Sequence, residues 1–196
     1  MIGTREPSSD KMKAWKKAAG AKGSTGSFAD AAKFGDLIVL ATNGVGTEPA
    51  LESAGVSSFA GKVVIDVTNP LDFSRGMPPG LFVGTTDSLG ERIQRKIPKA
   101  KVVKALNTVS NVHMVDPRMK GGAPMMFIAG DDAAAKKKVE AILKDFGWAG
   151  AYDVGGIAGA RWLEAAVPLW VALMQQLGSP DHMLQPTLLE SKGKPR

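Results

Sequence analysis

Short, almost wholly apolar runs alternate with amphipathic stretches along this chain. Asp36-Leu37-Ile38-Val39-Leu40-Ala41, Lys62-Val63-Val64-Ile65-Asp66-Val67, Lys101-Val102-Val103-Lys104-Ala105-Leu106 and Pro124-Met125-Met126-Phe127-Ile128-Ala129 read as strands. Ala151-Tyr152-Asp153-Val154 reads as a last short one. Runs apolar on both faces predict a parallel sheet covered by helices on both sides. The stretches between them supply the helices. Ser8-Ser9-Asp10 caps one that carries Met12, Trp15 and Ala19 and ends at Gly20. A turn over Gly23–Gly26 and a short helix over Phe28–Phe34 follow. After a loop over 42–46, Thr47 is expected to cap a helix running to Ala54. Leu89, Ile93 and Ile97 share one helical face, and Asp131-Asp132 precedes a helix with Val139, Ile142, Leu143 and Phe146 inward. Gly155-Gly156 leads into a long apolar helix from Ile157 to about Leu177; beyond Gly178 the chain reads as extended, with a frayed end over 191–196.

Composition narrows the function classes. The 196 residues are 44% apolar and 22% charged, a globular balance. The absence of cysteine excludes disulfides, thiolate metal sites and cysteine nucleophiles. Lys plus Arg is 25 against 19 for Asp plus Glu, a net charge of +6 that favours anionic ligands. The basic run Arg92, Arg95, Lys96, Lys99, Lys101, Lys104 lacks interleaved aromatic residues, so it reads as a solvated helix edge and strand start rather than a nucleic-acid platform. No signal-peptide core follows Met1, and the stretch Ile157–Met174 contains Arg161, Glu164 and Pro168. That stretch reads as a buried or subunit-packing helix, not a membrane span, and the expected location is the cytoplasm.

In a parallel sheet covered on both faces, ligands bind beyond the carboxyl ends of the strands. The informative places are therefore the loops after Ala41, Val67 and Leu106, and the polar exit Gly3-Thr4-Arg5. If Met1-Ile2 ends a strand, Arg5 and Thr4 stand where an adenine ribose 2′-phosphate is held in dinucleotide folds. A loose, positively charged N-terminus is the alternative. Thr42, Asn43, Thr68, Asn69, Asn107 and Thr108 put short hydrogen-bonding side chains at strand ends, though Asn and Thr are also turn formers. Gly44-Val45-Gly46 mimics a phosphate-binding turn, but Pro49 stands where the third glycine belongs. His113 and His182 have no metal spacing, no G-x-S-x-G elbow occurs, and no general acid or base stands out. No residue is assigned a catalytic role.

Several of these segments together resemble one family. Gly61-Lys62-Val63-Val64-Ile65-Asp66-Val67-Thr68-Asn69-Pro70-Leu71, Ser88-Leu89-Gly90-Glu91 and Lys101-Val102-Val103-Lys104-Ala105-Leu106-Asn107-Thr108-Val109 resemble the NADPH-dependent coenzyme F420 reductases. Gly3-Thr4-Arg5-Glu6-Pro7 resembles that family's second-strand exit, and the approach to Trp162 and Pro168-Leu169-Trp170 also fits. The resemblance implies an α/β, Rossmann-like doubly wound parallel sheet, with an NADP-binding unit over 1–154 and a C-terminal helix and tail over 155–196. It implies direct hydride transfer between the nicotinamide of NADP(H) and a deazaflavin such as coenzyme F420, which needs orientation more than acid–base chemistry. By the same likeness Thr4 and Arg5, with Ser9 or Lys11, hold the 2′-phosphate. Ala41, Thr42 and Asn43 run along the cofactor, Asn69 and Pro70 lie near the nicotinamide, and Asn107 and Thr108 near the acceptor. The implied partners are a small-molecule redox co-substrate and a second copy of the chain, packed through the C-terminal helix.

The likeness departs at one end. Residue 1 corresponds to the end of the family's second strand, so its first strand and glycine-rich diphosphate turn have no counterpart in residues 1–196. Weak or absent turnover with NADPH is the expectation, together with strand edges left unpaired across the gap or forced together. The rival readings are an imine reductase of the pyrroline-5-carboxylate reductase type and a non-catalytic nucleotide-binding or interaction module.

Overall fold

The computed structural model describes residues 1–184. In chain order the elements are β1 (Ile2–Gly3), α1 (Asp10–Ala19), β2 (Thr25–Gly26), α2 (Phe28–Phe34), β3 (Leu37–Leu40), α3 (Gly44–Ala54), β4 (Val63–Asp66), β5 (Leu71–Asp72), β6 (Gly80–Leu81), α4 (Leu89–Lys96), β7 (Lys101–Lys104), β8 (Met125–Ile128), α5 (Ala133–Asp145), β9 (Gly150–Asp153), α6 (Ala160–Ala165) and α7 (Val167–Leu177). All five apolar runs are strands, each within a residue or two of its expected bounds.

The central sheet is parallel, in the order β3-β4-β7, with Leu37 opposite Val63 and Val63 opposite Lys101. β1 pairs with β2 and β8 with β9, both in parallel, and an antiparallel bridge between Lys104 and Ala129 joins β7 to β8. Successive strand side chains point to opposite faces. Val64 and Val102 therefore enter one core with Leu51 of α3 and Leu89 and Ile93 of α4. Val63, Ile65 and Val103 enter the other, with Ala135, Val139 and Leu143 of α5. Helices cover both faces, which is the α/β, Rossmann-like arrangement expected of doubly apolar strands.

β1 and β3 are not hydrogen-bonded to each other. Between them lies an apolar groove of about 460 Å³ lined by Ile2, Phe28, Ile38, Val39 and Leu51. Val39 is 54% exposed in mid-strand, which follows from the free edge of β3. The edges thus stay unpaired across the gap rather than closing on each other.

Several expectations need correction. The Gly23–Gly26 segment is not only a turn, because Thr25 and Gly26 form β2 against β1. α3 starts at Gly44, capped by the Asn43 side chain on the Val45 N–H, so Thr47 lies inside the helix. The segment between β4 and α4, for which no strand is expected, holds a small antiparallel pair, β5 with β6. The long C-terminal helix is split into a 3₁₀ turn over Ile157–Gly159, α6 and α7. Pro168, at the start of α7, has no N–H to continue the ladder from α6. Lys104 is not solvated, being 0% exposed at the sheet centre. The expected frayed end falls outside the described residues.

The stretch Ile157–Leu177 is long and apolar enough to cross a membrane by length and composition alone. Its two charged residues are tied to the rest of the fold. Arg161 grips Glu91 of α4, with Nε 2.8 Å from Oε2, and Glu164 is buried.

Ion pairs on α4 make the fold acid-sensitive. Hydrogen bonding from Arg95 holds the Asp87 carboxyl down at about 2, and Arg161 holds Glu91 below the usual carboxylate range. A folded value below the unfolded one gives stability that is complete above about pH 4 and lost as pH falls through about 2. Partial exposure limits the Asp87 share to about 1–2 kcal/mol. Thermal unfolding followed by circular dichroism should show the melting temperature dropping between these values. Asp87→Asn should flatten that drop; an unchanged slope contradicts the assignment.

Candidate functional site

The carboxyl ends of β1, β3 and β4 open on one edge of the molecule. Gly3, Thr4 and Arg5, leaving β1, share a cavity of about 610 Å³ with Thr42 and Asn43 after β3 and with Gly46, Pro49 and Ser53 of α3. A second cavity of about 330 Å³ is lined by Ala41, Thr42, Asn43 and Gly44 on one side and Thr68 and Asn69 on the other, with Phe73, Asn111 and Met114 closing it. Thr42 and Asn43 belong to both, so the two form one continuous path across the strand tips.

Local chemistry fixes the tip of β3. Thr47 donates its hydroxyl proton to the Asn43 carbonyl at 3.0 Å. Its oxygen, 2.9 Å from Thr42 Oγ1, must then accept from Thr42. Thr42 keeps its own lone pairs for a ligand hydroxyl. Asn43 Oδ1 is committed to the Val45 N–H at 3.1 Å. Gly44 is held against the next loop: a Cβ there would lie 2.1 Å from the Asn69 carbonyl oxygen. Only glycine permits that approach. Gly44→Ala should cost ~1–3 kcal/mol in a urea melt. Gly46→Ala, two residues on with open space around it, should be neutral or stabilising by up to ~1 kcal/mol. Equal effects at the two positions would contradict the packing argument.

The tips of β4 and β7 are tied by an amide pair. Asn69 Nδ2 donates to the Asn107 carbonyl at 2.8 Å, and Asn107 Nδ2 donates to Asn69 Oδ1 at 2.9 Å and to the Leu163 carbonyl at 3.1 Å. Asn107 Oδ1 is buried without a hydrogen-bond partner among the described residues. Leu106, just before it, has φ of +60°, a conformation that costs a non-glycine residue ~1–2 kcal/mol. Unsatisfied buried acceptors and left-handed side chains cluster where function demands them.

Other expected positions lie off this path. Ser9 ends the segment before α1 and makes no side-chain cap, and Lys11 is on the exposed face of α1; neither lines a cavity with Thr4 and Arg5. Pro70 is buried, its carbonyl accepting from Phe82 N at 3.0 Å; Asn107 and Thr108 line neither cavity, Asn107 lying buried behind Asn69. Asn111 and Met114 line the second cavity without any periodic signal to mark them, because they arrive on a loop.

Among the described residues no cluster of His, Asp and Glu fits a metal ion. Thr4 and Arg5 offer a hydroxyl and a guanidinium suited to phosphate; Thr42 and Asn69 offer neutral hydrogen-bonding groups suited to hydroxyl and carboxamide. Such a set binds and orients a ligand with an anionic end and a neutral amide end. It supplies no proton donor or nucleophile of its own.

The chain is similar to known proteins over most of its length. Residues 1–70 match the model of the family described as NADP oxidoreductase, coenzyme F420-dependent. The F420-dependent NADP reductase of Methanocaldococcus jannaschii is 27% identical over 162 residues, spanning 82% of this chain and 72% of that protein. A crystal structure from Arthrobacter sp. FB24, assigned provisionally as an F420-dependent NADP-reductase, superposes with a TM-score of 0.90 at 42% identity, over 95% of this chain and 87% of that one. A pyrroline-5-carboxylate reductase from Coxiella burnetii shares the fold, with a TM-score of 0.53 at 19% identity over 87% of this chain and 56% of its own. The chain belongs to the F420-dependent NADP oxidoreductase family and is, by that membership, an NADP-dependent oxidoreductase.

Proposed function

We propose that the protein transfers a hydride between the nicotinamide of NADP(H) and a deazaflavin, coenzyme F420, in the cytoplasm. The observation that carries this reading is the continuous path from Thr4 and Arg5, through Thr42 and Asn43, to Asn69. The free Thr42 lone pairs support the fit of a ribose hydroxyl, and the Asn69 amide, held by Asn107, lines the cavity beyond it. NADPH supplies the hydride. The chain supplies placement: Arg5 and Thr4 hold the 2′-phosphate, Thr42 accepts from a ribose hydroxyl, and the Asn69 amide, fixed by Asn107, orients the carboxamide. The apolar walls of the second cavity, Phe73 and Met114, keep water from the acceptor ring. With the nicotinamide so held, hydride transfer needs orientation, and the one proton that the reduced deazaflavin takes up comes from solvent rather than from a dedicated side chain.

Affinity for NADPH is weak in this reading. The groove between β1 and β3 presents apolar side chains where a diphosphate crossing between the two tips would want N–H donors. A second copy packs on α6 and α7, where Trp162, Leu169 and Leu177 stand 63%, 57% and 61% exposed.

The test is consumption of NADPH at millimolar concentration with coenzyme F420 or a cyclic imine as acceptor. Turnover with the deazaflavin alone supports the proposal; turnover with the imine alone replaces it with imine reduction.

A further inference from the structure

The sheet centre holds an ion cluster that cofactor binding does not by itself require. The Lys104 ammonium donates to Asp66 Oδ2 at 2.9 Å, to Glu164 Oε1 at 2.8 Å and to the Thr68 carbonyl. Its three protons meet three acceptors. Two carboxylates outweigh one ammonium, and backbone donors offset the difference. Glu164 accepts from the Leu89 N–H at 2.8 Å and the Gly90 N–H at 2.9 Å, at the positive end of α4. Asp66 Oδ1 accepts from the Thr68 N–H at 2.9 Å and its hydroxyl at 2.7 Å.

Every arm of the cluster ends beside one half of the amide pair. Asp66 and the Thr68 carbonyl fix the chain immediately before Asn69. Glu164 follows Leu163, whose carbonyl anchors Asn107 Nδ2. Both Nδ2 protons of Asn107 are spent on oxygens, so turning the amide over would set oxygen against oxygen. The amide is therefore locked with Oδ1 free, behind a left-handed Leu106. Such an arrangement persists only where its surroundings enforce it.

We propose that Lys104 is a positioning residue for the nicotinamide end of the site: it holds the buried Asn107 in one arrangement, and Asn107 in turn fixes the Asn69 amide that lines the second cavity. This rests on the reading that NADP(H) lies across the strand tips. Lys104 touches neither cofactor nor acceptor; it acts through the Thr68 carbonyl on one side and Glu164 on the other.

The test uses Lys104→Met and Glu164→Gln in the full chain. Hydrogen exchange of the Asn107 side-chain amide, read by nitrogen-15 NMR without ligand, should speed up by at least about tenfold in either variant. With NADPH and coenzyme F420, kcat should fall by roughly tenfold or more while KM for NADPH stays within about threefold. If Lys104→Met does not fold, Glu164→Gln decides, since it loosens the tie to α6 while Lys104 keeps Asp66. Unchanged Asn107 exchange in a folded variant overturns the proposal, as does a loss that appears wholly in KM. Absence of turnover in the unaltered protein defeats the functional reading, and the exchange measurement still judges the role of Lys104.

Discussion

Glu164→Ala is expected to destabilise the protein by about 3–5 kcal/mol, the largest single-site effect outside the cores. The carboxylate is 2% exposed and holds three donors at once: the Lys104 ammonium and the Leu89 and Gly90 N–H groups. Removing it leaves a buried ammonium short of one partner and two N–H groups at the start of α4 without acceptors. Each loss costs more than an ordinary hydrogen bond contributes, because water does not reach these groups. In a chain of this size the melting temperature should fall by roughly 10 °C. Glu91→Ala, which breaks a pair whose Arg161 side chain is 32% exposed and can turn to water, should cost less. If the two variants melt together, the buried cluster is not what joins α6 to the sheet.

Arg5→Ala is expected to weaken NADPH binding by about 1–3 kcal/mol, a factor of roughly 5 to 150 in Kd. NADH binding should hardly change, since the missing contact is to the 2′-phosphate alone. Arg5 is exposed and forms no ion pair among the described residues, so its loss should leave folding intact. Lys11→Ala serves as the control: it lies on α1, away from the cavity, and should alter neither cofactor. Isothermal titration with both nucleotides reads the difference. Equal losses for NADPH and NADH would remove the 2′-phosphate role.

The strands are legible because each is apolar on both faces, and α4 because Leu89, Ile93 and Ile97 share one face; the caps of α2 and α4 become plain only in the structure. Ser27 and Asp30 exchange hydrogen bonds across the first turn of α2, and Ser88 caps α4. The features that leave no local signal are short or long-range. β2 has two residues, Thr25 and Gly26, and exists only because β1 lies beside it. The start of α3 was misplaced because Gly44 and Gly46 read as loop, whereas Gly44 is required by the approach of the Asn69 carbonyl. At the candidate site, the cavity-lining positions of Thr4, Arg5, Thr42, Asn43 and Asn69 follow from strand ends, whereas Asn107, also at a strand end, is buried behind Asn69. The role of Lys104 does not follow from position, since it ends a run of basic residues that reads as solvated and its partners are 38 and 60 residues away. A buried ion triad leaves no periodic trace in a single sequence.

The measurement closest to the central claim is a titration of the nitrogen-15-labelled protein with NADPH to millimolar concentration, followed residue by residue. The account expects Thr4, Arg5, Thr42, Asn43 and the side-chain amides of Asn69 and Asn107 to shift along one saturation curve, with Thr4 and Arg5 silent when NADH replaces NADPH. Shifts confined to other parts of the surface, or none at Thr4 and Arg5 with NADPH, would contradict it.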